Sequence, residues 1–319
     1  MSTTTRSLAI AILVVGAALP FAWYGMVVGH AASINQQLAS VPAFRESPLY
    51  EQVAVVATFF GVKLIYTVAT AAIVFIFRKQ REVDLVALRW SMIAFFVGEG
   101  FCFINVMVYH DQSLLMEHLH SVGMVVSIAL GTYALIEAID HRILHYSDTG
   151  RCAFSGLCQG CIKQGSVSCG LLQMFRWLLP MLAVLAAMPL FSSFRETAYN
   201  TRILGAIHTY QHPLLHQIYE LRYLPVAGMV LLLASFMVAL RVDRPDSPRL
   251  PAAKVLLSAA IGAVAFSWFR LILVASFVDN QVWFASWEEV LELISIAMVG
   301  STLLVFRRRL LSTAEAHIA

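Results

Sequence analysis

Long apolar runs separated by short polar segments dominate the pattern of this chain. The runs fall near residues 7–29, 52–77, 87–110 and 114–138, and again near 171–194, 222–241, 253–278 and 286–306. A bilayer core about 30 Å thick is crossed by about 20 helical residues. Lipid also obliges a crossing segment to satisfy its own backbone hydrogen bonds. The pattern therefore predicts an all-α, polytopic membrane protein with about eight transmembrane helices.

The first apolar run has to be distinguished from a secretory signal peptide. It extends without a charge from Ser7 to Val28, whereas the apolar core of a signal peptide has only about 7–15 residues. We interpret the run as a retained first helix.

The composition supports lipid as the main solvent. Hydrophobic residues make up 59% of the chain and charged residues 13%, and the mean hydropathy is +0.75. Soluble domains carry about 25% charged residues. The net charge of +3 is small, and no basic stripe with interleaved aromatic residues is present, so a nucleic-acid partner is not expected.

The distribution of basic residues predicts the orientation in the membrane. If the N-terminus is cytoplasmic, 16 of the 22 Lys and Arg residues lie in cytoplasmic segments, four lie outside, and Lys63 and Arg270 lie within helices. Cytoplasmic loops retain positive charge during insertion. We therefore expect both termini on the cytoplasmic side of a bacterial-type inner membrane or a plasma membrane.

An internal repeat relates the two halves at a constant offset of 169 residues. "AALPF" at 17–21 aligns with "AAMPL" at 186–190, and "LYE" at 49–51 aligns with "IYE" at 218–220. An even number of helices in each half gives both the same orientation, which makes the repeats parallel. The predicted organisation is a first four-helix repeat at 1–140, a cytoplasmic cysteine-rich loop at 141–170, a second four-helix repeat at 171–310 and a C-terminal tail at 311–319.

Four cysteines are concentrated in the loop between the repeats. The segment "RCAFSGLCQGCIKQGSVSCG" has the spacing C-x5-C-x2-C-x7-C, with interleaved glycines that allow the backbone to wrap a small object. Its cysteines are Cys152, Cys158, Cys161 and Cys169.

The cysteine set suits two kinds of inorganic centre. Four thiolates suit an iron–sulfur cluster, with 4Fe-4S as the first hypothesis, and they also suit a structural zinc ion. Disulfides or unligated thiols are the third interpretation, and a reducing cytoplasmic compartment disfavours disulfides. The fifth cysteine, Cys102, lies within the third predicted helix and is interpreted as a packing residue.

Seven of the ten histidines are expected toward the outer face, and imidazole is a common ligand of metals and of haem b. The candidate ligands among them are His110, His118, His120, His212 and His216. The alternatives are solvated residues at helix ends, or a non-haem site completed by Glu117 and Glu289.

Two further histidine patterns are visible. His208, His212 and His216 have i, i+4, i+8 spacing, which predicts one helical face, although Pro213 interrupts it. His141 and His145 form an inner pair at i, i+4 just before the cysteine loop, and they are interpreted as small-metal ligands or as an interfacial helix end.

Three charged residues lie deep within apolar runs. Lys63 and Glu99 fall near the middle of the second and third predicted helices, and Arg270 lies within the seventh. A charge at the centre of a membrane helix costs at least about 2.5–3.5 kcal/mol. We therefore expect these residues to face the protein interior, with Lys63 and Glu99 as a pair that serves proton transfer, ligand binding or helix association.

These features favour a redox protein of the membrane. A cytoplasmic-side iron–sulfur cluster would exchange electrons with an outer-side haem, metal or quinone site, with help from redox partner subunits, in the manner of a quinone-linked oxidoreductase subunit. The alternatives are a metal- or proton-coupled transporter with a zinc-bound loop, or a membrane anchor subunit. No hydrolase nucleophile arrangement, Walker loop or dinucleotide fingerprint is present in the sequence.

Overall fold

The computed structural model describes residues 43–109, 113–144, 180–192, 197–212, 214–242, 247–277 and 279–315. Three strands and seven helices lie in these ranges. In chain order they are β1 (Ala43–Phe44), α1 (Leu49–Ile76), α2 (Val83–Tyr109), α3 (Leu114–Arg142), α4 (Pro180–Phe191), β2 (Thr197–Ile203), β3 (Ala206–His212), α5 (Leu215–Ala239), α6 (Arg249–Phe277) and α7 (Gln281–Glu315).

Five helices in the described ranges, α1, α2, α3, α5 and α6, are long and apolar enough to cross a membrane. They confirm that the runs predicted at 52–77, 87–110, 114–138, 222–241 and 253–278 form helices, and their length and apolar character indicate an integral membrane protein. The run at 286–306 lies inside α7, and the run at 171–194 is described only from residue 180, where α4 begins. The run at 7–29 lies outside the described residues.

The surfaces of these helices are suited to lipid. Large apolar side chains such as Phe60, Leu64 and Val68 on α1 are more than half exposed. Thr67 and Thr70 are satisfied within their own helix, since each donates to the carbonyl four residues earlier, at 2.6 and 2.7 Å. These two hydroxyl groups therefore need no water.

The described residues form two compact units. The first draws on Ile128–Phe194 and Leu215–Trp268, and the second on Val41–Ser127, Arg195–Leu214 and Phe269–Ala319.

In the first unit, α4 and α5 pack with parts of α3 and α6 around small and branched apolar residues. The buried core consists of Ala186, Leu232, Ala239, Ala253, Leu257 and Ala260. Two polar bonds join the helices: Ser235 Oγ donates to the Ala253 carbonyl at 2.8 Å, and Trp268 Nε1 donates to the Leu185 carbonyl at 3.1 Å. Small residues allow the backbones to approach closely enough for such bonds.

The first unit also contains a buried ion cluster near the end of α3. Lys254 Nζ lies 3.1 Å from Glu137 Oε1 and also contacts Asp140. His141, which is exposed, lies 3.0 Å from Glu137 through Nε2. Lys254 ion-pairs with both carboxylates and so connects α3 and α6. Ligand atoms of Glu137, Asp140 and His141 also lie within 4.8 Å of one another, with His141 exposed. His145 lies outside the described residues, so the proposed His141–His145 pair is not tested.

In the second unit, α2 and α3 approach each other at two glycines. A Cβ on Gly123 would lie only 2.6 Å from Gly98 Cα. A second contact follows where Ser91 Oγ donates to the Ser127 carbonyl at 2.7 Å. The close crossing brings Glu99, which follows Gly98, next to His120, which lies about one helical turn before Gly123.

A three-stranded sheet with the order β1-β2-β3 lies over the ends of α1 and α7. β1 is parallel to β2, and β2 forms an antiparallel hairpin with β3 in which Ile203 faces Ala206. The two turn residues, Leu204 and Gly205, both have positive φ values, of 47° and 90°, as a tight hairpin requires. Val55, Ile203 and Val282 form the buried contact beneath the sheet.

Polar contacts hold the sheet to the helix ends. The Gln52 side chain donates to the Ser47 carbonyl at 2.8 Å and accepts from the backbone N–H of Leu204 at 2.9 Å. The backbone N–H of Val282 donates to the Tyr199 hydroxyl at 3.2 Å. Burial raises the pKa of Tyr199, which keeps this hydroxyl neutral.

The helical face predicted for His208, His212 and His216 is wrong. Residues 206–212 form strand β3, so His208 and His212 lie on a strand whereas His216 lies on α5. The alternation of β-branched and aromatic residues in "TAYNTRI" and "AIHTY", and the pairing across the turn, outweigh the helical spacing of the histidines.

Candidate functional site

The second unit contains a buried cluster of polar side chains supplied by five helices. α1 supplies Lys63 and Tyr66, α2 supplies Glu99, and α3 supplies Glu117 and His120. The other two helices add Arg270 from α6 and the acidic group Glu288, Glu289 and Glu292 from α7. Spacings of three and four residues place the members from any one helix on one face. Most of the cluster is buried: Lys63 is 6% exposed, Glu99 3%, His120 2%, Arg270 1% and Glu292 3%.

Lys63 and Tyr66 connect two carboxyl groups. Lys63 Nζ lies 2.6 Å from Glu99 Oε2 and 2.8 Å from Glu289 Oε1. Tyr66 Oη lies 2.6 Å from Glu99 Oε2 and 2.5 Å from Glu289 Oε2. A phenol has one hydrogen to donate, so Tyr66 can donate to only one of these two carboxyl groups at a time. The sequence pattern suggested that Lys63 and Glu99 are partners, and Glu289 joins the same network.

His120 is held beside Glu99 by the close helix crossing. Its Nδ1 lies 3.2 Å from the Gly98 carbonyl and 3.5 Å from Glu99 Oε1. In the tautomer whose Nδ1–H donates to the carbonyl, Nε2 would carry the lone pair, the arrangement typical of a ligating histidine. Because Glu99 uses Oε2 for Lys63 and Tyr66, its Oε1 is the oxygen turned toward the imidazole.

Glu292 completes a group with the spacing of a metal site. Ligand atoms of Glu99, His120 and Glu292 all lie within 4.8 Å of one another, and all three residues are buried. Neither side-chain oxygen of Glu292 has a hydrogen-bond partner among the described residues. A buried carboxylate without donors is costly, and a proton or a bound cation at Glu292 would relieve that cost.

A separate ion pair borders the group. Arg270 Nη1 lies 2.6 Å from Glu288 Oε1, and Arg270 Nη2 lies 3.2 Å from Glu117 Oε1. His120 Nε2 lies 3.7 Å from the same oxygen of Glu288.

Carboxyl groups outnumber permanent cations in the cluster. Among the described residues, five glutamates of the cluster face two permanent cations, Lys63 and Arg270. Such an excess of negative charge is not stable in a low-dielectric interior. Uptake of cations, as protons or as a metal ion, would relieve this excess.

The other candidate histidines take different positions. His118 is buried on α3, two residues from His120, and such a spacing points the two side chains in different directions. His212 is buried at the end of β3, with its ring centroid 5.2 Å from that of Phe284. His216 belongs to the first unit and His212 to the second. His110 and the four loop cysteines, Cys152, Cys158, Cys161 and Cys169, lie outside the described residues.

Sequence reasoning missed Tyr66, Glu288 and Glu292. Glu292 follows two acidic residues at the start of α7, a pattern typical of a solvated helix end. A useful signal was nevertheless present, because Glu292 is surrounded by the apolar run "VLELISIAMVG" and is spaced i, i+3 from Glu289. Cys102, interpreted as a packing residue, has its Sγ 3.4 Å from Lys63 Nζ.

Comparison with known proteins identifies no family for this chain. No protein-family model, no curated protein and no solved structure matches this chain.

Proposed function

We propose that this chain is a membrane redox protein that binds one iron or manganese ion at Glu99, His120 and Glu292 and exchanges electrons between this ion and the cysteine centre of the 141–170 loop. One observation carries the metal site: three buried ligand atoms lie within 4.8 Å of one another, and both oxygens of Glu292 have no hydrogen-bond partner among the described residues.

Charge and burial favour a metal ion over simple helix association. Helix association is accomplished by paired groups such as Lys63–Glu99 or Arg270–Glu288, at 2.6 Å each. Glu292 takes no part in these pairs, yet it is only 3% exposed. A divalent ion would compensate Glu292 and the excess charge around it together.

The donor set favours a non-haem ion. The group formed around His120 contains two carboxylates, whereas a haem b held in a helical bundle requires two facing imidazoles. Mixed oxygen and nitrogen donors suit iron, manganese and zinc, and only the first two change oxidation state readily. The ion would pass single electrons by alternating between its divalent and trivalent states.

The wider scaffold of this proposal is an eight-helix protein. Three spans, near 7–29, 171–194 and 286–306, would add to the five that the described residues contain, and two parallel four-helix repeats would place both termini and the cysteine loop in the cytoplasm. The loop would hold a 4Fe-4S cluster, or zinc as the alternative. A quinone or a redox partner subunit would carry electrons over the distance between the two centres.

Metal analysis of the purified full-length protein tests the site. We expect about one iron or manganese ion beyond any cluster iron in the wild type, and loss of that ion in Glu292→Gln and His120→Asn. Glu51→Gln is the matched control, because Glu51 is a buried carboxylate of the same unit that is paired instead with Arg45 at 3.3 Å. Equal metal content in Glu292→Gln and wild type would refute the site.

The cysteine centre requires its own variant. A Cys158→Ser/Cys161→Ser protein should lose iron and acid-labile sulfide together while keeping the ion bound by Glu292. Unchanged iron and sulfide would remove the cluster from the proposal and leave the intramembrane ion standing.

A metal- or proton-coupled transporter is the second candidate, and the position of Lys63 favours it. The Lys63 ammonium lies 2.6 and 2.8 Å from two carboxylates, one of them in the metal group, where an entering cation would compete with it. Metal uptake into proteoliposomes that depends on Glu292 and on a pH gradient would support this function. Redox-inactive zinc at the site would support it as well.

A further inference from the structure

A cationic cavity lies at the turn between α1 and α2, well separated in sequence from the metal ligands. Four basic side chains, Arg78, Lys79, Arg81 and Arg89, line an opening of about 560 Å³ together with Gln80 and Val86. Glu82 and Asp84 are the acidic residues in this stretch, which leaves an excess of two positive charges.

Two of the basic side chains are held in place. Arg89 Nη1 donates to the Arg78 backbone carbonyl at 2.6 Å, so this side chain folds back over the end of α1. The Arg78 guanidinium lies 3.8 Å from the centroid of the Phe75 ring. Phe77 anchors the turn, since it is 7% exposed. Lys79 and Arg81 are exposed and remain accessible to a ligand.

The backbone adds a further attraction for an anion. α2 begins at Val83, within the stretch that lines the cavity. The first N–H groups of a helix have no partner within the helix, and they carry partial positive charge. Anions bind readily at such helix starts.

The location of the cavity between two apolar helices indicates which kind of anion it binds. The turn directly connects two helices that are apolar enough to cross a membrane, so the cavity lies at the level of lipid headgroups. Below it, Phe75 and Ile76 are 62% and 65% exposed, and Trp90 on the neighbouring helix is 52% exposed. Tryptophan at this level is typical of a membrane interface.

We propose that this cavity binds the phosphate headgroup of an anionic phospholipid, with the acyl chains lying along the exposed apolar residues below. Basic pockets between membrane helices recognise such headgroups through charge, and the arginine fork fits phosphate oxygens. The binding depends on the turn alone and is independent of the metal site.

Lipid binding by the purified full-length protein tests the proposal. Vesicles of phosphatidylcholine with and without phosphatidylglycerol provide the probe, and Lys79→Gln/Arg81→Gln provides the variant, because both side chains are exposed and their loss leaves the turn intact. Retention of phosphatidylglycerol should weaken about thirtyfold in the variant, or about 2 kcal/mol, since each basic residue contributes about 1 kcal/mol near an anionic surface.

The control removes the same charge from another turn between helices. In Arg241→Gln/Arg249→Gln, two exposed arginines are lost where Arg249 Nη1 donates to the Arg241 carbonyl at 2.8 Å, the same bond that joins Arg89 to Arg78. This variant should retain phosphatidylglycerol as the wild type does. Equal loss in both variants would show a general surface charge effect and overturn the proposal. Displacement of the lipid by inorganic phosphate would reassign the cavity to a free anion and overturn it too.

Discussion

Gly123→Ala offers a sharp test of how the fold builds the metal site. The new Cβ would lie 2.6 Å from Gly98 Cα, whereas carbon atoms in contact lie about 3.5–4.0 Å apart, so α2 and α3 would have to separate by roughly 1 Å. The three atoms nearest to this Cβ are all backbone atoms, of Gly98 and Ala94, which cannot move aside as a side chain could.

The separation of α2 and α3 should disturb the metal site by displacing His120. Its Nδ1 is 3.2 Å from the Gly98 carbonyl, and an increase of roughly 1 Å breaks that bond. Loss of such an orienting partner weakens metal binding about 10- to 100-fold. Overpacking should also lower the free energy of unfolding by about 1–3 kcal/mol.

A chelator competition for the metal ion, together with thermal unfolding in detergent, measures both effects. Gly100→Ala is the matched control on the same helix, because a Cβ there meets no atom within 4 Å. Alanine in place of glycine should then stabilise α2 by up to about 1 kcal/mol and leave the metal affinity unchanged. Wild-type affinity in Gly123→Ala, or an equal loss in Gly100→Ala, would refute the reasoning.

Three further predictions concern charge pairing and the hairpin turn. Arg270→Met should destabilise the protein by up to about 3 kcal/mol because it leaves the half-buried Glu288 without its cation, and Arg270→Met/Glu288→Gln should recover most of that loss in thermal unfolding; no recovery would contradict the pairing. Lys63→Met should unfold at a lower temperature without metal, and a metal ion at about 100 times its dissociation constant should restore about 2.7 kcal/mol, whereas stability unaffected by metal would count against the site. Leu204→Asn should raise the free energy of unfolding by about 1 kcal/mol, because Leu204 has a φ of 47° that asparagine tolerates better; lower stability would contradict this.

Five apolar helices could be predicted from the sequence because lipid imposes a simple rule on them. A run of about 20 apolar residues has few stable forms other than a crossing helix, so α1, α2, α3, α5 and α6 were identifiable. The same rule identified Lys63 and Glu99 as residues that need partners.

Other parts depend on contacts that a single sequence does not display. The hairpin of β2 and β3 is stabilised by pairing between strands and by Gln52, which is more than 140 residues away in sequence. The i, i+4 spacing of His208 and His212, taken alone, suggested a helix. The importance of Glu292 can be recognised only in the folded protein. There its ligand atom on α7 lies within 4.8 Å of the ligand atoms of Glu99 on α2 and His120 on α3.

X-ray absorption at the metal edge tests the central claim most directly, on a protein in which Cys158 and Cys161 are both replaced by serine. With the cysteine centre removed, the account predicts a bound ion with oxygen and nitrogen neighbours only, an imidazole among them, and its disappearance when Glu292→Gln is added. A sulfur neighbour in that spectrum, or an ion that persists without the Glu292 carboxylate, would contradict the account.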